Sequence, residues 1–251
     1  MSRPILEIDH LTHEFTPGNG IFDICLDIFP KEFILLAGPN GSGKTTLVRH
    51  LNVLFLPTSG EVRLHGRPAA SDIISARKTV GMVFQDADTQ IVGDTVFDEV
   101  AFGLENLKTP RPMIREKVAL ALAQMNLSHL KARNPATLSG GEKRRLAIAG
   151  ILVMDPEIIV LDEPFANLDY PSSRALIDTL GQLHQQGQTL ILAAHDIEDV
   201  ISCATRVIIM DHRGRVAEDG RPQDLLGHLE TYGIKEPCFS RMGYKKPPWQ
   251  A

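Results

Sequence analysis

A segment near the N-terminus combines the glycines, the lysine and the hydroxyl group that a phosphate-binding loop needs. It reads Gly38-Pro39-Asn40-Gly41-Ser42-Gly43-Lys44-Thr45-Thr46. Closely spaced glycines let successive backbone N–H groups curl around a phosphate, and a following helix adds its positive dipole end. In this pattern Lys44 reaches the β- and γ-phosphates, and the hydroxyl of Thr45 is a ligand for Mg²⁺. Because a strand-like apolar run precedes the loop and a helical pattern follows it, we expect a nucleoside triphosphate site rather than a turn with a surface lysine.

Two adjacent acidic residues, Asp162 and Glu163, end a second apolar run, Ile158-Ile159-Val160-Leu161. Burying a carboxylate is costly unless a positive group offsets its charge, and a bound Mg²⁺ is such a group. We predict that Asp162 holds Mg²⁺ directly or through water. Glu163 points the other way along the strand and is available to polarise an attacking water. The competing interpretation is a solvated strand end.

A third segment, Ser139-Gly140-Gly141-Glu142, begins a helical pattern that runs toward Met154. Ser139 and Glu142 have the spacing of a capping box, which by itself explains a helix start. Capping does not explain two glycines in the first turn, where each costs about 0.5–1 kcal/mol relative to alanine. Glycines at a helix N-terminus do let a phosphate approach bare N–H groups. Since one phosphate loop is already present, this segment is expected to serve a nucleotide held by another subunit.

The elements that must position these motifs alternate between buried strands and amphipathic helices, which predicts an α/β fold with a mostly parallel sheet. A mostly helical insertion interrupts the alternation, and one of its helices has a clear apolar face: Ile114, Val118, Ala121, Leu122 and Met125. The first thirty or so residues have the pattern of short strands. The end of the chain from about residue 236, with Arg241, Lys245 and Lys246, has no periodicity and is expected to be a loose arm.

Composition narrows the class of protein. The chain has 251 residues, 43% of them apolar and 23% charged, with a formal net charge of −5. These values argue against disorder and against a globally basic nucleic-acid binder. Cys25, Cys203 and Cys238 are far apart, which fits a reducing cytosol better than a disulfide framework. The longest apolar run, Leu146 to Met154, is 9 residues, about half of a membrane span, and the N-terminus lacks a signal-peptide core.

The order of these motifs resembles that of the ATP-binding-cassette ATPases. Leu138-Ser139-Gly140-Gly141, between the phosphate loop and the Asp162–Glu163 pair, is similar to the family's signature segment. Further matches follow the family's order: Phe15 at the position of an aromatic ring that stacks on adenine, Gln85 at that of the Q-loop glutamine, Asp169 in the D-loop and His195 as the switch histidine. Glu142 departs from the pattern, because the family more often has glutamine there.

This resemblance covers about residues 3–225 and implies a P-loop NTPase core with an N-terminal antiparallel β subdomain and an inserted helical subdomain at about residues 90–150. Residues 226–251 are then a C-terminal extension. The resemblance also implies a head-to-tail dimer, homodimeric or with a paralogue, that holds ATP and Mg²⁺ between subunits. The phosphate loop, Phe15 and Gln85 would bind ATP in one chain, and the partner would contribute the residues expected in trans: Ser139, Gly140, Gly141, Glu142 and Asp169.

The resemblance assigns roles within that site. Lys44, Glu163 and His195 would be catalytic, with His195 holding the γ-phosphate and the attacking water. Thr45, Gln85 and Asp162 would be ligands of Mg²⁺, and Gln85 would relay the nucleotide state to a membrane partner through the helical insertion. The chemistry would consist of positioning and charge neutralisation during an in-line displacement.

A narrower resemblance, to the energy-coupling-factor type of importer ATPase, rests on three stretches: Phe84–Val92, Val100–Asn106 and Leu161–Pro171. That group serves the uptake of cobalt, nickel, biotin and other vitamins. Its members work with a transmembrane coupling subunit and a separate substrate-capturing membrane protein. The resemblance therefore implies these two partners, with this chain bound peripherally at the cytoplasmic face of the cell membrane.

Two other functions compete with transport. A soluble cassette ATPase that acts on nucleic acid or ribosomes usually has two cassettes or a long heptad-repeat insertion, and this sequence shows neither; its acidic balance also disfavours a polyanion partner. A small-molecule kinase or GTPase would leave the Ser139-Gly140-Gly141 segment without a role, and no Asn-Lys-x-Asp segment that reads guanine occurs.

Overall fold

The computed structural model describes residues 3–243 of the chain. In that part, ten strands and eight α-helices follow one another in this order: β1 (Leu6–Thr16), β2 (Asn19–Ile28), β3 (Phe33–Ala37), α1 (Lys44–Leu51), β4 (Ser59–Leu64), β5 (Arg67–Pro68), α2 (Ile73–Thr79), β6 (Val80–Val83), α3 (Val96–Asn106), α4 (Arg111–Gln124), α5 (Gly140–Leu152), β7 (Ile158–Asp162), α6 (Tyr170–Gln185), β8 (Thr189–Ala194), β9 (Arg206–Met210), β10 (Val216–Gly220), α7 (Pro222–Leu225) and α8 (Cys238–Arg241).

The larger sheet has six strands in the order β10-β9-β3-β8-β7-β6. All neighbouring strands are parallel except β10, which pairs antiparallel with β9 at the edge. Every residue of β3, β6, β7 and β8 is buried, which explains their nearly unbroken apolar sequences. Because these strands are parallel, the residues that follow β3, β7 and β8 come together at one edge of the sheet.

The smaller sheet is antiparallel and has the order β2-β1-β4-β5. Its apolar side chains share a buried cluster with one face of the larger sheet and with α1, through residues such as Leu6, Ile24, Ile34 and Leu47. The predicted α/β class, with an antiparallel N-terminal sheet and a mostly parallel second sheet, is thereby confirmed.

The part of the chain that connects β6 to β7 contains three helices, α3, α4 and α5, which pack against one another. All five residues expected on the apolar face of α4 and at its end are buried: Ile114, Val118, Ala121, Leu122 and Met125. The expected helical insertion therefore exists, and its buried surface joins the core that covers the other face of the larger sheet. None of the helices within residues 3–243 has both the length and the apolarity that crossing a membrane requires.

The expectation of a loose arm from about residue 236 is wrong for the residues described. Phe239, on the short helix α8, is only 3% exposed and belongs to the main core. The buried carboxylate of Glu236 accepts hydrogen bonds from the backbone N–H groups of Gly227 and Leu229. A helix of four residues held by one aromatic ring and one acid leaves no periodic signal in the sequence, which explains the error. Lys245 and Lys246 lie outside the described residues.

Anchoring of this segment by Phe239 can be tested by substitution. Phe239→Ala is expected to lower the free energy of unfolding by about 3 kcal/mol, because it removes a buried ring from the core. Chemical denaturation followed by circular dichroism would measure the loss. Met242→Ala is the matched control: Met242 is 73% exposed, so its change should stay within about 0.5 kcal/mol. Equal effects of the two substitutions would contradict the packing described here.

Candidate functional site

The phosphate loop connects β3 to α1, and glycine is required at two of its positions. Gly43 has φ +93°, and a Cβ there would lie 2.3 Å from Cγ2 of Ile21. A Cβ on Gly38 would lie 2.6 Å from the carbonyl oxygen of Met210, on the neighbouring strand β9. Any larger residue would push the loop off these neighbours, so the close fit of the loop to the sheet fixes where its N–H groups point.

The amino group of Lys44 lies inside this loop. It donates hydrogen bonds to the carbonyl oxygens of Gly38 (2.7 Å) and Pro39 (3.1 Å), and it lies 3.9 Å from Oε1 of Glu163. The side chain is almost completely buried. Burial lowers the pKa of Lys44, while the charges of Glu163 and Asp162 act in the opposite direction. A cation with so little water around it is suited to bind a polyanion.

The side chain of Ser42 lies on the inner side of the loop. Its hydroxyl is fully buried, and it has no hydrogen-bond partner within residues 3–243. A Cβ on Gly38 would lie 2.7 Å from this hydroxyl oxygen. The contact is a further reason why position 38 requires glycine.

The residues next to the loop fit a magnesium ion. Oγ1 of Thr45 donates a hydrogen bond to Oδ1 of Asp162 (3.1 Å), and Asp162 is buried at the end of β7. Burial raises the pKa of Asp162, the charge of Glu163 adds to that rise, and the hydrogen bond from Thr45 opposes it. Hydroxyl and carboxylate oxygens are the hard donors that Mg²⁺ prefers, and Gln85, which lines the same cavity as Thr45, has an amide oxygen of the same kind. A divalent cation would also remove the electrostatic cost of the two adjacent acids.

Glu163 and His195 form a second pair at the same edge of the sheet. Oε2 of Glu163 lies 2.9 Å from Nδ1 of His195, the first residue after β8. Glu163 has a left-handed backbone (φ +47°), and its N–H donates to the carbonyl of Ala193 at 2.9 Å. Such a conformation costs of order 1–3 kcal/mol in a residue other than glycine and is concentrated at functional sites. The strained turn directs the carboxylate toward the imidazole and Lys44.

A cavity of about 330 Å³ joins the predicted residues from four distant parts of the sequence. Its lining consists of Asn40, Gly41, Gly43, Lys44, Thr45, Thr46, Gln85, Glu163 and His195. A second cavity of about 400 Å³ continues from Glu163 and His195 along the D-loop and the start of α6. Among its other lining residues, Asn167 belongs to the segment that resembles the D-loop, whereas Ser173, Asp196 and Asp199 were not singled out from the sequence.

Phe15 lies outside both cavities. It belongs to β1 and is 53% exposed, and its ring meets those of His13 edge-on at 4.5 Å and Phe55 at 6.0 Å. An exposed ring held by two others is a suitable surface for stacking, but its contact with adenine stays a prediction.

The residues expected to act in trans also lie outside the cavities. Ser139 caps α5 through a complete capping box: its Oγ accepts from the N–H of Glu142 (3.3 Å), and Oε2 of Glu142 accepts from the N–H of Ser139 (2.7 Å). These bonds lower the pKa of Glu142. Asp169 caps α6 by accepting from the N–H of Ser172 at 3.0 Å. Gly140 leaves open space above the helix end, since a Cβ there would meet nothing closer than 3.8 Å.

Another group of possible ligands lies on the exposed surface of β1 and β2, away from the cavities. Nδ1 of His10 lies 2.7 Å from Oδ1 of Asp23, and the N–H of His10 donates to Sγ of Cys25 at 3.3 Å. The carboxylate raises the pKa of His10. This ion pair and the amide–sulfur contact explain the grouping without a metal ion.

A phosphate loop after the central strand β3 of a parallel sheet, with an acidic pair at the end of β7, two strands away, defines a nucleotide-binding protein of the P-loop class. Comparison with known sequences narrows the class: the profile described as ABC transporter matches residues 21–166. The chain belongs to the ATP-binding-cassette (ABC) transporter family. It is therefore an ATP-binding protein and an ATPase, as the signature segment and the cavity also indicate.

Relatives over nearly the whole chain agree with this assignment. A putative ABC transporter ATP-binding protein of Halobacterium salinarum is 43% identical over 93% of this chain and 100% of its own length. The energy-coupling factor transporter ATP-binding protein EcfA2 of Symbiobacterium thermophilum is 38% identical over 91% of this chain and 83% of its own. Among solved structures, CbiO1 from Clostridium perfringens, described as part of the ABC transporter complex CbiONQ, has a TM-score of 0.83 and 34% identity. That match covers 91% of this chain and 93% of CbiO1.

The close fit of the phosphate loop predicts a specific defect. Gly43→Ala is expected to weaken the binding of a fluorescent ATP analogue by at least about tenfold, because a Cβ would collide with Ile21 and strain the loop. Fluorescence anisotropy would measure the affinity. Gly181→Ala on α6, where a Cβ has open space, is the matched control and should bind as the wild type does. Unchanged affinity of Gly43→Ala would show that the loop tolerates a side chain.

Proposed function

We propose that this chain is the ATP-hydrolysing subunit of an energy-coupling-factor type of membrane importer. The observation that carries the proposal is the incomplete site. Lys44, Thr45, Gln85, Glu163 and His195 line one cavity, whereas the second phosphate-binding feature, the glycine-rich start of α5, lies outside it. A head-to-tail dimer would bring the α5 N-terminus of one chain to the cavity of the other.

In this proposal the residues of one chain bind and orient ATP. Backbone N–H groups of the phosphate loop after Pro39 surround the phosphates, and Lys44 neutralises charge on the β- and γ-phosphates. Thr45, Asp162 and Gln85 hold Mg²⁺, which neutralises charge on the phosphates when bound. Phe15 stacks on the adenine ring.

Glu163 and His195 act on the attacking water. Glu163 accepts a proton from the water, and His195 holds the γ-phosphate oxygens and fixes the carboxylate through the 2.9 Å contact. The low exposure of Glu163 and Lys44 keeps bulk water from screening these charges. Positioning and electrostatic stabilisation supply the rate enhancement.

The partner chain would complete the site. The N–H groups of Gly140 and Gly141 meet the γ-phosphate at the positive end of the α5 dipole. The hydroxyl of Ser139 accepts a hydrogen bond from the N–H of Glu142 within its own chain, and in the dimer it would donate its proton to a phosphate oxygen. Asp169, at the start of α6, would contact nucleotide from the same side. The second cassette is a copy of this chain or a paralogue.

We infer the remaining partners from the resemblance to energy-coupling-factor importers. A transmembrane coupling subunit and a substrate-capturing membrane protein would bind the dimer at the cytoplasmic face of the cell membrane, for uptake of a metal ion such as cobalt or nickel or of a vitamin. The relatives named above are transporter ATP-binding proteins or part of a transporter complex. They favour an importer over an ATPase that acts on nucleic acid or ribosomes, as does the net charge of −5.

The role of Glu163 as the base predicts a separation of binding from hydrolysis. Glu163→Gln is expected to bind ATP as the wild type does and to hydrolyse it at least about 100-fold more slowly, the scale of removing one transition-state group. Phosphate release and fluorescent-nucleotide binding would be measured together. Glu157→Gln, at an exposed ion pair with His65, is the control and should keep its activity. Near-normal turnover of Glu163→Gln would assign the base elsewhere.

The shared site predicts a loss of dimerisation. Ser139→Arg should leave the monomer folded, since a helix cap contributes only about 0.5–2 kcal/mol, but it would fill the anion site and prevent ATP-dependent dimers. Size-exclusion chromatography in the Glu163→Gln background, with and without ATP, would show this. Ser128→Arg, exposed in the same helical insertion, is the control. ATP-dependent dimers of the Ser139→Arg variant would refute the shared site.

A further inference from the structure

Arg144, on the first turns of α5, occupies an unusual position for an arginine. It is 4% exposed, and its two terminal nitrogens donate to consecutive backbone carbonyls: Nη1 to Phe84 at 2.6 Å and Nη2 to Gln85 at 2.7 Å. These two residues directly follow strand β6, and the side chain of Gln85 lines the nucleotide cavity. The guanidinium therefore holds the backbone of a residue that is proposed to bind Mg²⁺.

This arrangement is difficult to explain by stability alone. Within residues 3–243 no carboxylate lies within ion-pair distance of Arg144, and its Nε has no hydrogen-bond partner. Burial lowers the pKa of Arg144, and the charges of Asp86 and Asp162 only partly oppose this. A buried cation compensated by carbonyl groups alone is costly, and an apolar side chain of similar size is often no less stable. The geometry of the two hydrogen bonds explains an arginine at this position better than their contribution to stability does.

A neighbouring contact fastens the same loop to the same helix. Nζ of Lys143 forms an ion pair with Oδ1 of Asp88 at 2.5 Å. The loop is also closed on itself, because Gln90 accepts from the N–H of Phe84 (3.0 Å) and donates to the carbonyl of Met82 (3.2 Å). Residues 84–90 and the first turns of α5 thus form one connected unit.

The two ends of this unit face different nucleotide sites in the proposed dimer. The N-terminus of α5 carries Ser139, which is proposed to contact the ATP held by the partner chain. One turn later Arg144 holds Gln85, which lines this chain's own site. An α-helix is stiff over so short a distance, so a displacement of its N-terminus is transmitted to the residues that its next turn holds.

We propose that Arg144 is a positioning residue that couples the two ATP sites through each chain. By donating hydrogen bonds to two consecutive carbonyls, it keeps the backbone of Gln85 at a fixed position relative to the N-terminus of α5. Engagement of the partner's ATP by Ser139 and placement of Gln85 in the chain's own site then occur together. A planar guanidinium offers each carbonyl its own nitrogen at a fixed spacing, whereas a lysine has one nitrogen on a flexible stem. The inference rests on the proposed function.

Two variants test this role. Arg144→Lys keeps the charge but loses the two separate nitrogens that donate to the two carbonyls. Arg144→Met removes the charge at similar volume. Both are expected to raise the Mg²⁺ concentration for half-maximal ATP hydrolysis about tenfold, because Gln85 is no longer held in place. Both should also raise the ATP concentration for half-maximal dimerisation about tenfold in the Glu163→Gln background, although Arg144 does not line the nucleotide cavity. Arg115→Lys, exposed on α4, is the control and should change neither midpoint.

Each result decides the proposal. A shift of both midpoints, with thermal unfolding showing that the variants are folded at the assay temperature, supports it. A lower unfolding temperature with both midpoints unchanged would reduce Arg144 to a structural residue. A shift of the Mg²⁺ midpoint alone would leave Arg144 as a support for Gln85 and overturn the coupling between sites. A wild-type chain that neither hydrolyses ATP nor dimerises with it would instead overturn the proposed function and this inference with it.

Discussion

Ionised groups held out of water at the ends of parallel strands are the constraint on which the rest of this structure depends. Lys44, Asp162 and Glu163 are each poorly exposed, and the ammonium lies 3.9 Å from the Glu163 carboxylate. One buried cation beside two acids leaves a net negative charge. Burial lowers the pKa of Lys44 and raises the pKa of Asp162, and each change favours the uncharged form. A divalent cation would offset the charge of the two acids, which would leave Lys44 to pair with a phosphate group. The parallel sheet makes this possible, because it brings the ends of β3, β7 and β8 to one edge, where backbone N–H groups and side chains converge.

The parts of the site that are local in sequence could be predicted, because a loop motif carries its own geometry. The phosphate loop, Asp162 and Glu163 lie where the pattern placed them, and so does the capping box at Ser139. What brings them together is the strand order β10-β9-β3-β8-β7-β6, which no short segment encodes. Arg144 escaped the sequence interpretation because its partners are backbone carbonyls, and every residue has one. The packing of α8 escaped it because a single buried ring has no period.

The carboxylate of Glu142 has one favourable and one unfavourable effect at the start of α5. As an acid, it completes the capping box by accepting the N–H of Ser139, and it interacts favourably with the positive end of the α5 dipole. A carboxylate near a proposed phosphate site is also a repulsive charge. Its bond to Ser139 holds it at the cap and lowers its pKa, so it stays ionised at a fixed place. A glutamine in this position, which the family more often has, would keep the hydrogen bond without the charge.

The central position of β3 has a consequence for the synthesis of the chain. The strands that flank β3 begin only at Thr189 and Arg206, and Gly38 is packed against the carbonyl of Met210. While a ribosome makes the intervening residues, which takes on the order of ten seconds or more, both edges of this apolar strand have no neighbour. Unpaired strand edges invite aggregation. In the nascent chain these edges therefore stay unpaired until β8 and β9 have emerged, and a fragment that ends before Met210 lacks one wall of the nucleotide loop.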